Sequence, residues 1–266
     1  MDSQRLPGPV EPAKRRLPAM NNRLSVAMQA VEKATGLAMA YFNDRHTLDI
    51  TTKSAQDLVS RADFEVEQLL RAELGKHFPD DAILGEELGG EFITDGWVID
   101  PIDGTGNYLR GTPLWGIAVA YMSAGVPEIG VVAYPALGYT LAARTGDGLL
   151  RNGIPFVRPQ PPEHLRIAGI GENTRWDAEE LGQLQLTLRQ QGWGLAGYRC
   201  ATIGLAFAAL GQTDGYMEKF TSLWDIAAGA VICREAGLLC EIEGEQKQGS
   251  MTVMVGREEL MGIFAG

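Results

Sequence analysis

Residues 97–108 read Trp97-Val98-Ile99-Asp100-Pro101-Ile102-Asp103-Gly104-Thr105-Gly106-Asn107-Tyr108. The apolar opening predicts a buried strand that ends on a carboxylate, because Pro101 has no N–H for a ladder and cannot continue a helix. Asp100 and Asp103 then flank a forced turn. Closely set carboxylate oxygens are what hard cations such as Mg²⁺ take as ligands, and the Ile102 carbonyl, freed by the turn, is a further candidate. Gly104 and Thr105 lead into a short expected helix, whose first N–H groups and positive dipole end suit an anion. Cation ligands and an anion nest thus lie side by side. Taken alone, the stretch also reads as an Asp-Pro turn followed by an Asp-Gly turn, both of them common.

Outward from this stretch, apolar residues at helical spacing predict a helix over about 24–43 and a second over about 61–77. The second has Phe64, Leu69, Leu70 and Leu74 as its expected buried stripe and Ser60 and Asp63 at its start. Short apolar segments cut by glycines predict strands over 82–84, 96–100, 115–122, 127–133 and 140–144. Helices return over about 178–191, 201–210 and 223–236, the last stopped by Gly237. Glu86, in Gly85-Glu86-Glu87, follows the 82–84 strand, so it projects from a strand end or belongs to a solvated acidic loop. Asp225 stands three residues after Ser222, where an ordinary helix start also places an acid. The order of elements points to layered helices and sheets, not to an alternating Rossmann series.

The chain has 266 residues, 45% hydrophobic and 21% charged, enough for one full core or two intimate halves, and this excludes disordered and fibrous classes. Its 23 basic residues against 34 acidic ones leave a net charge of −11, which disfavours nucleic acid as a partner. An acidic protein that handles phosphate needs recruited cations. No apolar run approaches the roughly 18 residues of a membrane span. Cys200, Cys233 and Cys240 form no CxxC pair, which predicts a reduced, cytoplasmic protein. His46, His77 and His164 lie in polar contexts that suggest no zinc site. Residues 1–20 hold Pro7, Pro9, Pro12 and Pro18 with Arg5, Lys14, Arg15 and Arg16, and read as a flexible leader.

Together, Gly85-Glu86-Glu87, the 97–108 stretch, Leu223-Trp224-Asp225-Ile226-Ala227-Ala228-Gly229 and Arg234-Glu235-Ala236-Gly237 resemble the inositol monophosphatase family, in order, from about residue 24 to the C terminus. These are Mg²⁺-dependent, lithium-sensitive phosphatases. The resemblance implies an α+β fold, the layered αβαβα sandwich of the inositol monophosphatase and fructose-1,6-bisphosphatase type. After the leader, residues 21–266 would form a single catalytic domain with halves of about 21–150 and 151–266, usually as a homodimer with two to three Mg²⁺ ions per site.

Carried over by residue, the resemblance makes Glu86, Asp100 and the Ile102 carbonyl ligands of a first metal, and Asp100, Asp103 and Asp225 ligands of a second. Glu86 would also touch a third ion. Asp63 and Thr105 would orient and deprotonate the attacking water, Gly104 and Thr105 amides would hold the phosphate, and Glu218 would meet substrate hydroxyls. Cys200 and Ala201 sit at the substrate rim in Arg199-Cys200-Ala201-Thr202, where relatives often read Gly-Ser-Ala-Ala. Lys53 falls in a segment similar to a mobile metal-seating loop, one residue shorter here. Asn107 stands where bisphosphate nucleotidases tend to carry Glu.

The implied activity is hydrolysis of a small phosphorylated alcohol, inositol 1-phosphate first, by in-line attack of activated water. Arg110-Gly111-Thr112-Pro113-Leu114-Trp115 and Ser222-Leu223-Trp224-Asp225 are similar to the histidinol-phosphate phosphatase branch, which makes that ester the alternative substrate. A regulatory binding protein that retains the fold is the alternative of a different class.

Overall fold

The computed structural model describes residues 17–44, 52–91, 93–162, 164–246 and 249–265. Its elements run α1 (Leu17–Asp44), α2 (Thr52–His77), β1 (Ile83–Gly85), β2 (Gly96–Asp103), α3 (Thr105–Arg110), β3 (Gly116–Ser123), β4 (Val126–Tyr134), β5 (Tyr139–Arg144), β6 (Gly148–Arg151) and β7 (Ile154–Phe156). The second half continues with β8 (Ile167–Ile170), α4 (Ala178–Gln190), β9 (Gly194–Ala196), α5 (Ala201–Ala209), β10 (Gly215–Thr221), α6 (Leu223–Glu235), β11 (Leu239–Gly244), β12 (Met251–Gly256) and α7 (Glu258–Phe264). Strands β1 to β7 form one sheet in sequence order, and a second sheet has the order β11-β12-β10-β8-β9. In the first sheet β1 runs parallel to β2 and every later pairing is antiparallel.

Alternation along the strands builds the layers. Trp97 and Ile99 of β2 pack with Ala27, Val31, Leu70 and Leu74 of α1 and α2, while Val98 faces the opposite side. That side packs on α5 and α6, whose far face meets Tyr216, Val253 and Val255 of the second sheet. Met217 and Met254 point the other way, against α4 and α7. The result is a five-layer αβαβα sandwich. Helix α6 sits in its middle, so residues 223, 224 and 226–233 are all buried and the helix is apolar all round.

Several expectations change. Helix α1 begins at Leu17, inside the segment read as a leader, with Pro18 in a first turn that loses no hydrogen bond to it. Residues 1–16 lie outside the described ones. Helix α2 begins at Thr52, so Asp63 stands well inside it and the helix-start explanation of that acid falls away. The buried row is Ala62, Val66, Leu70 and Leu74, at spacings of four, which turns Phe64 outward to 42% exposure. Strand β2 does not end at Asp100. It passes through Pro101 by a bulge, since Asp100 pairs with Ala118 but Asp103 with Gly116, and a proline is tolerated where the ladder is already broken.

Candidate metal-binding active site

Parallel pairing of β1 with β2 matches Gly85 to Ile99, so Glu86, just past the end of β1, comes level with Asp100 on the neighbouring strand. The β2 bulge then brings Asp103 back beside Asp100. From the other half, Asp225 arrives in the first turn of α6, its Oδ2 accepting the Ser222 N–H at 2.8 Å and the Thr221 hydroxyl at 2.7 Å. Asp100, Asp103 and Asp225 each present an oxygen within 4.8 Å of the others. Glu86 lies close enough for its charge to act on Asp100.

Such a cluster is electrostatically expensive. Burial, then the negative charges of Glu86 and Asp103, pushes the Asp100 carboxyl well above the usual carboxylate range, and burial and Asp103 do the same to Asp225. Burial raises Asp103 as well, opposed by hydrogen bonds from Cys200 and Thr202. Glu86 is pushed up to about 7 by burial first. Asp63 rises to about 8 through burial and the charges of Glu87, Glu86 and Glu67. Among the described residues, no basic side chain is a leading influence on any of these five groups. Asp63 Oδ1 and Asp100 Oδ2 are moreover buried with no hydrogen-bond partner among the described residues. Orphaned acceptors on mutually repelling carboxylates fit divalent cations, which supply the missing charge and use oxygen ligands.

The backbone around the cluster is tightly fixed. Asp100 Oδ1 accepts the Ile102 N–H at 3.0 Å, and the Thr105 hydroxyl donates to the Ile102 carbonyl at 3.2 Å. Asp103 Oδ2 accepts the Thr202 N–H at 2.6 Å and the Cys200 thiol at 3.0 Å, so this carboxylate also caps α5. Gly104 has φ 84°, and a Cβ there would stand 3.0 Å from both the Leu114 carbonyl oxygen and Cys200 Cβ. Only glycine satisfies both demands.

A cleft of about 770 Å³ opens over this floor, lined by Asp103, Gly104, Thr105, Cys200, Ala201 and Glu218 together with Asp225. Glu218 is oriented by the Tyr216 hydroxyl at 2.6 Å and the Asn173 amide at 3.4 Å. Glu86 lines an adjoining hollow that shares Glu218 and Asp225. The side chain of Lys53 lies outside the described residues.

Sequence reasoning missed the group that holds Glu86. Glu67, fully buried one turn after Asp63, accepts the Glu87 N–H at 2.8 Å and the Leu88 N–H at 3.2 Å, and pairs with Arg71 Nε at 2.8 Å. Arg71 in turn donates to the carbonyls of Ile83, at 3.3 Å, and Gly89, at 2.5 Å. The pair clamps the turn that carries Glu86. Its signal was present: Asp63 and Glu67 are two acids on the buried face of one helix. Tyr216 and Asn173, which aim Glu218, had no such signal.

A model of the inositol monophosphatase family matches residues 19–261. The inositol-1-monophosphatase of Rhizobium meliloti is 37% identical over 223 residues, covering 80% of this chain and 83% of that protein. The histidinol-phosphatase of Chlorobaculum parvum is 31% identical over 238 residues, covering 83% of this chain and 86% of that one. Among solved structures, Mycobacterium tuberculosis SuhB superposes with a TM-score of 0.77 at 26% identity, covering 92% of this chain and 96% of that chain.

Proposed function

The chain belongs to the inositol monophosphatase family, and on that premise we propose that it is a Mg²⁺-dependent phosphomonoesterase acting on a small phosphorylated alcohol, with inositol 1-phosphate the first substrate to test. The observation that carries this reading is the trio Asp100, Asp103 and Asp225, the first two buried and the third partly so, within 4.8 Å of one another and raised in pKa by burial and by one another's charge. Bound divalent cations would neutralise a phosphate dianion, acidify a water and stabilise the departing alkoxide. Asp100, Asp103, Asp225, Glu86 and the Ile102 carbonyl would hold them.

Thr105 spends its hydroxyl proton on the Ile102 carbonyl, which leaves its lone pairs to accept from the attacking water. Asp63 carries an unpaired buried oxygen and receives that water's proton. Its raised pKa keeps it protonated near neutral pH until nearby positive charge lowers it, so basicity is switched on only in the loaded site. Gly104 and Thr105 present first-turn N–H groups of α3 to the phosphate. Glu218 accepts a substrate hydroxyl, with Cys200 and Ala201 forming the rim.

The histidinol-phosphatase relative and the 110–115 similarity support histidinol phosphate as the second substrate. Phosphate release from inositol 1-phosphate, histidinol phosphate, fructose 1,6-bisphosphate and adenosine 3′,5′-bisphosphate, with and without Mg²⁺ and with added Li⁺, tests the reading. Expected is Mg²⁺-dependent, Li⁺-inhibited release from the first; no release from any ester would refute the activity and favour a regulatory role. Light scattering tests the accompanying expectation of a homodimer.

A further inference from the structure

Arg199 occupies the left-handed region at φ 56°, next to the cleft floor. A residue with a Cβ there costs roughly 1–2 kcal/mol that a glycine avoids. The conformation is held from several sides. The Asn107 amide donates to the Tyr198 carbonyl at 2.8 Å and to that of Leu114 at 2.7 Å, tying the turn to the loop that follows α3. The Tyr198 ring meets Phe207 edge-on at 4.9 Å. Immediately after Arg199, Cys200 is locked to Asp103 at 3.0 Å. The backbone of Arg199 is therefore fixed relative to Gly104 and Thr105.

Its charge has no partner among the described residues. Arg199 is the one cation among the described residues lining the 770 Å³ cleft, and its guanidinium has no hydrogen bond or ion pair among them. The acids nearby are engaged elsewhere: Glu218 with Tyr216 and Asn173, Asp103 with Thr202 and Cys200, and Glu172 with Gln185 at 2.8 Å. An arginine kept in a strained conformation, unpaired, on the wall of an otherwise acidic cleft has the chemistry of an anion receptor, since its planar fork binds carboxylate or phosphate in two-point fashion.

We propose that Arg199 selects for a second anionic group, carboxylate or phosphate, on the alcohol portion of the substrate, away from the ester that is cleaved. This rests on the phosphomonoesterase reading and adds to it a preference, among phosphorylated alcohols, for those that carry another acid. The same charge opposes esters with a protonated amine, histidinol phosphate among them.

Matched substrates test it. 3-Phosphoglycerate differs from glycerol 3-phosphate by a carboxylate in place of a hydroxymethyl group, and fructose 1,6-bisphosphate differs from fructose 1-phosphate by a phosphate. In the wild type, kcat/KM favours the more acidic member of at least one pair. In Arg199→Gly, which also suits the left-handed backbone, that preference falls about tenfold and mainly through KM. Arg199→Lys keeps part of it, and Arg189→Gln on the outer surface of α4 leaves it unchanged. Loss for the acid pair alone identifies a carboxylate site and for the bisphosphate pair alone a phosphate site.

Turnover of all four esters with no wild-type preference, or a preference that survives Arg199→Gly within twofold, overturns the assignment and leaves the phosphatase reading standing. If no ester is turned over, that reading fails instead. Calorimetric affinities for the same pairs then decide the role of Arg199, tighter wild-type binding of the acidic member that is lost in Arg199→Gly supporting it and equal affinities refuting it.

Discussion

Replacing Asp103 by asparagine separates its two duties. One oxygen, Oδ2, caps α5 by accepting from Thr202 and Cys200; asparagine keeps an oxygen that can serve both donors. The charge is lost. With carboxylate oxygens within 4.8 Å, two full charges repel by roughly 3.5 kcal/mol at an effective dielectric constant near 20. Burial raises all three carboxyls and so favours their neutral forms, and neutralising one therefore recovers less, about 1–2 kcal/mol in the metal-free protein. For a chain of this size that corresponds to a rise of about 2–4 °C in Tm in the presence of a chelator. With Mg²⁺ the sign reverses, because a ligand charge is missing: affinity falls by at least about a hundredfold, and turnover at ordinary Mg²⁺ by about three orders of magnitude. Calorimetric Mg²⁺ titration, phosphate release and thermal melts on one preparation read all three. Wild-type affinity and turnover in Asp103→Asn would refute the metal-site reading, and a chelated melt lowered by more than a few degrees would show that the carboxylate is mainly a helix cap.

Asp63 and Glu86 have folded pKa values of about 8 and about 7, above their unfolded ones, so the stability they contribute is full below about pH 4 and is lost as pH rises through 7 to 8. The metal-free protein should lose about 3–4 kcal/mol between pH 6 and 8 in denaturant melts, and saturating Mg²⁺ should flatten that slope and release protons on binding. Glu67→Gln leaves Arg71 without its carboxylate and loosens the turn bearing Glu86, which predicts about 2–3 kcal/mol lower stability and about tenfold weaker Mg²⁺ binding by calorimetry. Cys200 and Cys233 are buried, and burial holds both thiols far above their ordinary pKa, while Cys240 is pushed up to about 11. Mass spectrometry after iodoacetamide at pH 8 should therefore find all three unmodified in the native protein and all three modified once it is unfolded.

What could be read from the sequence was local. The 97–108 stretch shows its strand, its broken ladder and its glycine start to α3 in consecutive residues, because each follows from the chemistry of the residue in place. Glu86 and Asp225 were ambiguous by the same logic: strand-end and helix-start acids look alike whether or not they meet, and only the β1–β2 pairing and the position of α6 bring them together. The second sheet was the least visible part. Strands of three and four residues such as β9 and β8, rich in glycine and alanine, carry no alternation over enough positions to register. Helix α2 was misjudged because Phe64 is the more apolar residue while Ala62 and Val66 fit the contact face, so size of side chain outweighed spacing. Roles carried by family likeness reached further than residue chemistry alone, though they too passed over Glu67.

The acidic cluster and the cleft above it draw on both halves of the chain, since Asp63, Glu86, Asp100 and Asp103 precede residue 110 whereas Asp225 and Glu218 come more than a hundred residues later. During synthesis, the first four acids leave the ribosome well before the remaining two, and until then nothing orders them into a pocket for ions. Contacts of such sequence separation form slowly. On the proposed reading, tight uptake of divalent cations would become available only when the last helices have closed over the first sheet, which would make ion binding a timer for completed folding and spare the nascent chain an early, half-formed hydrolytic centre.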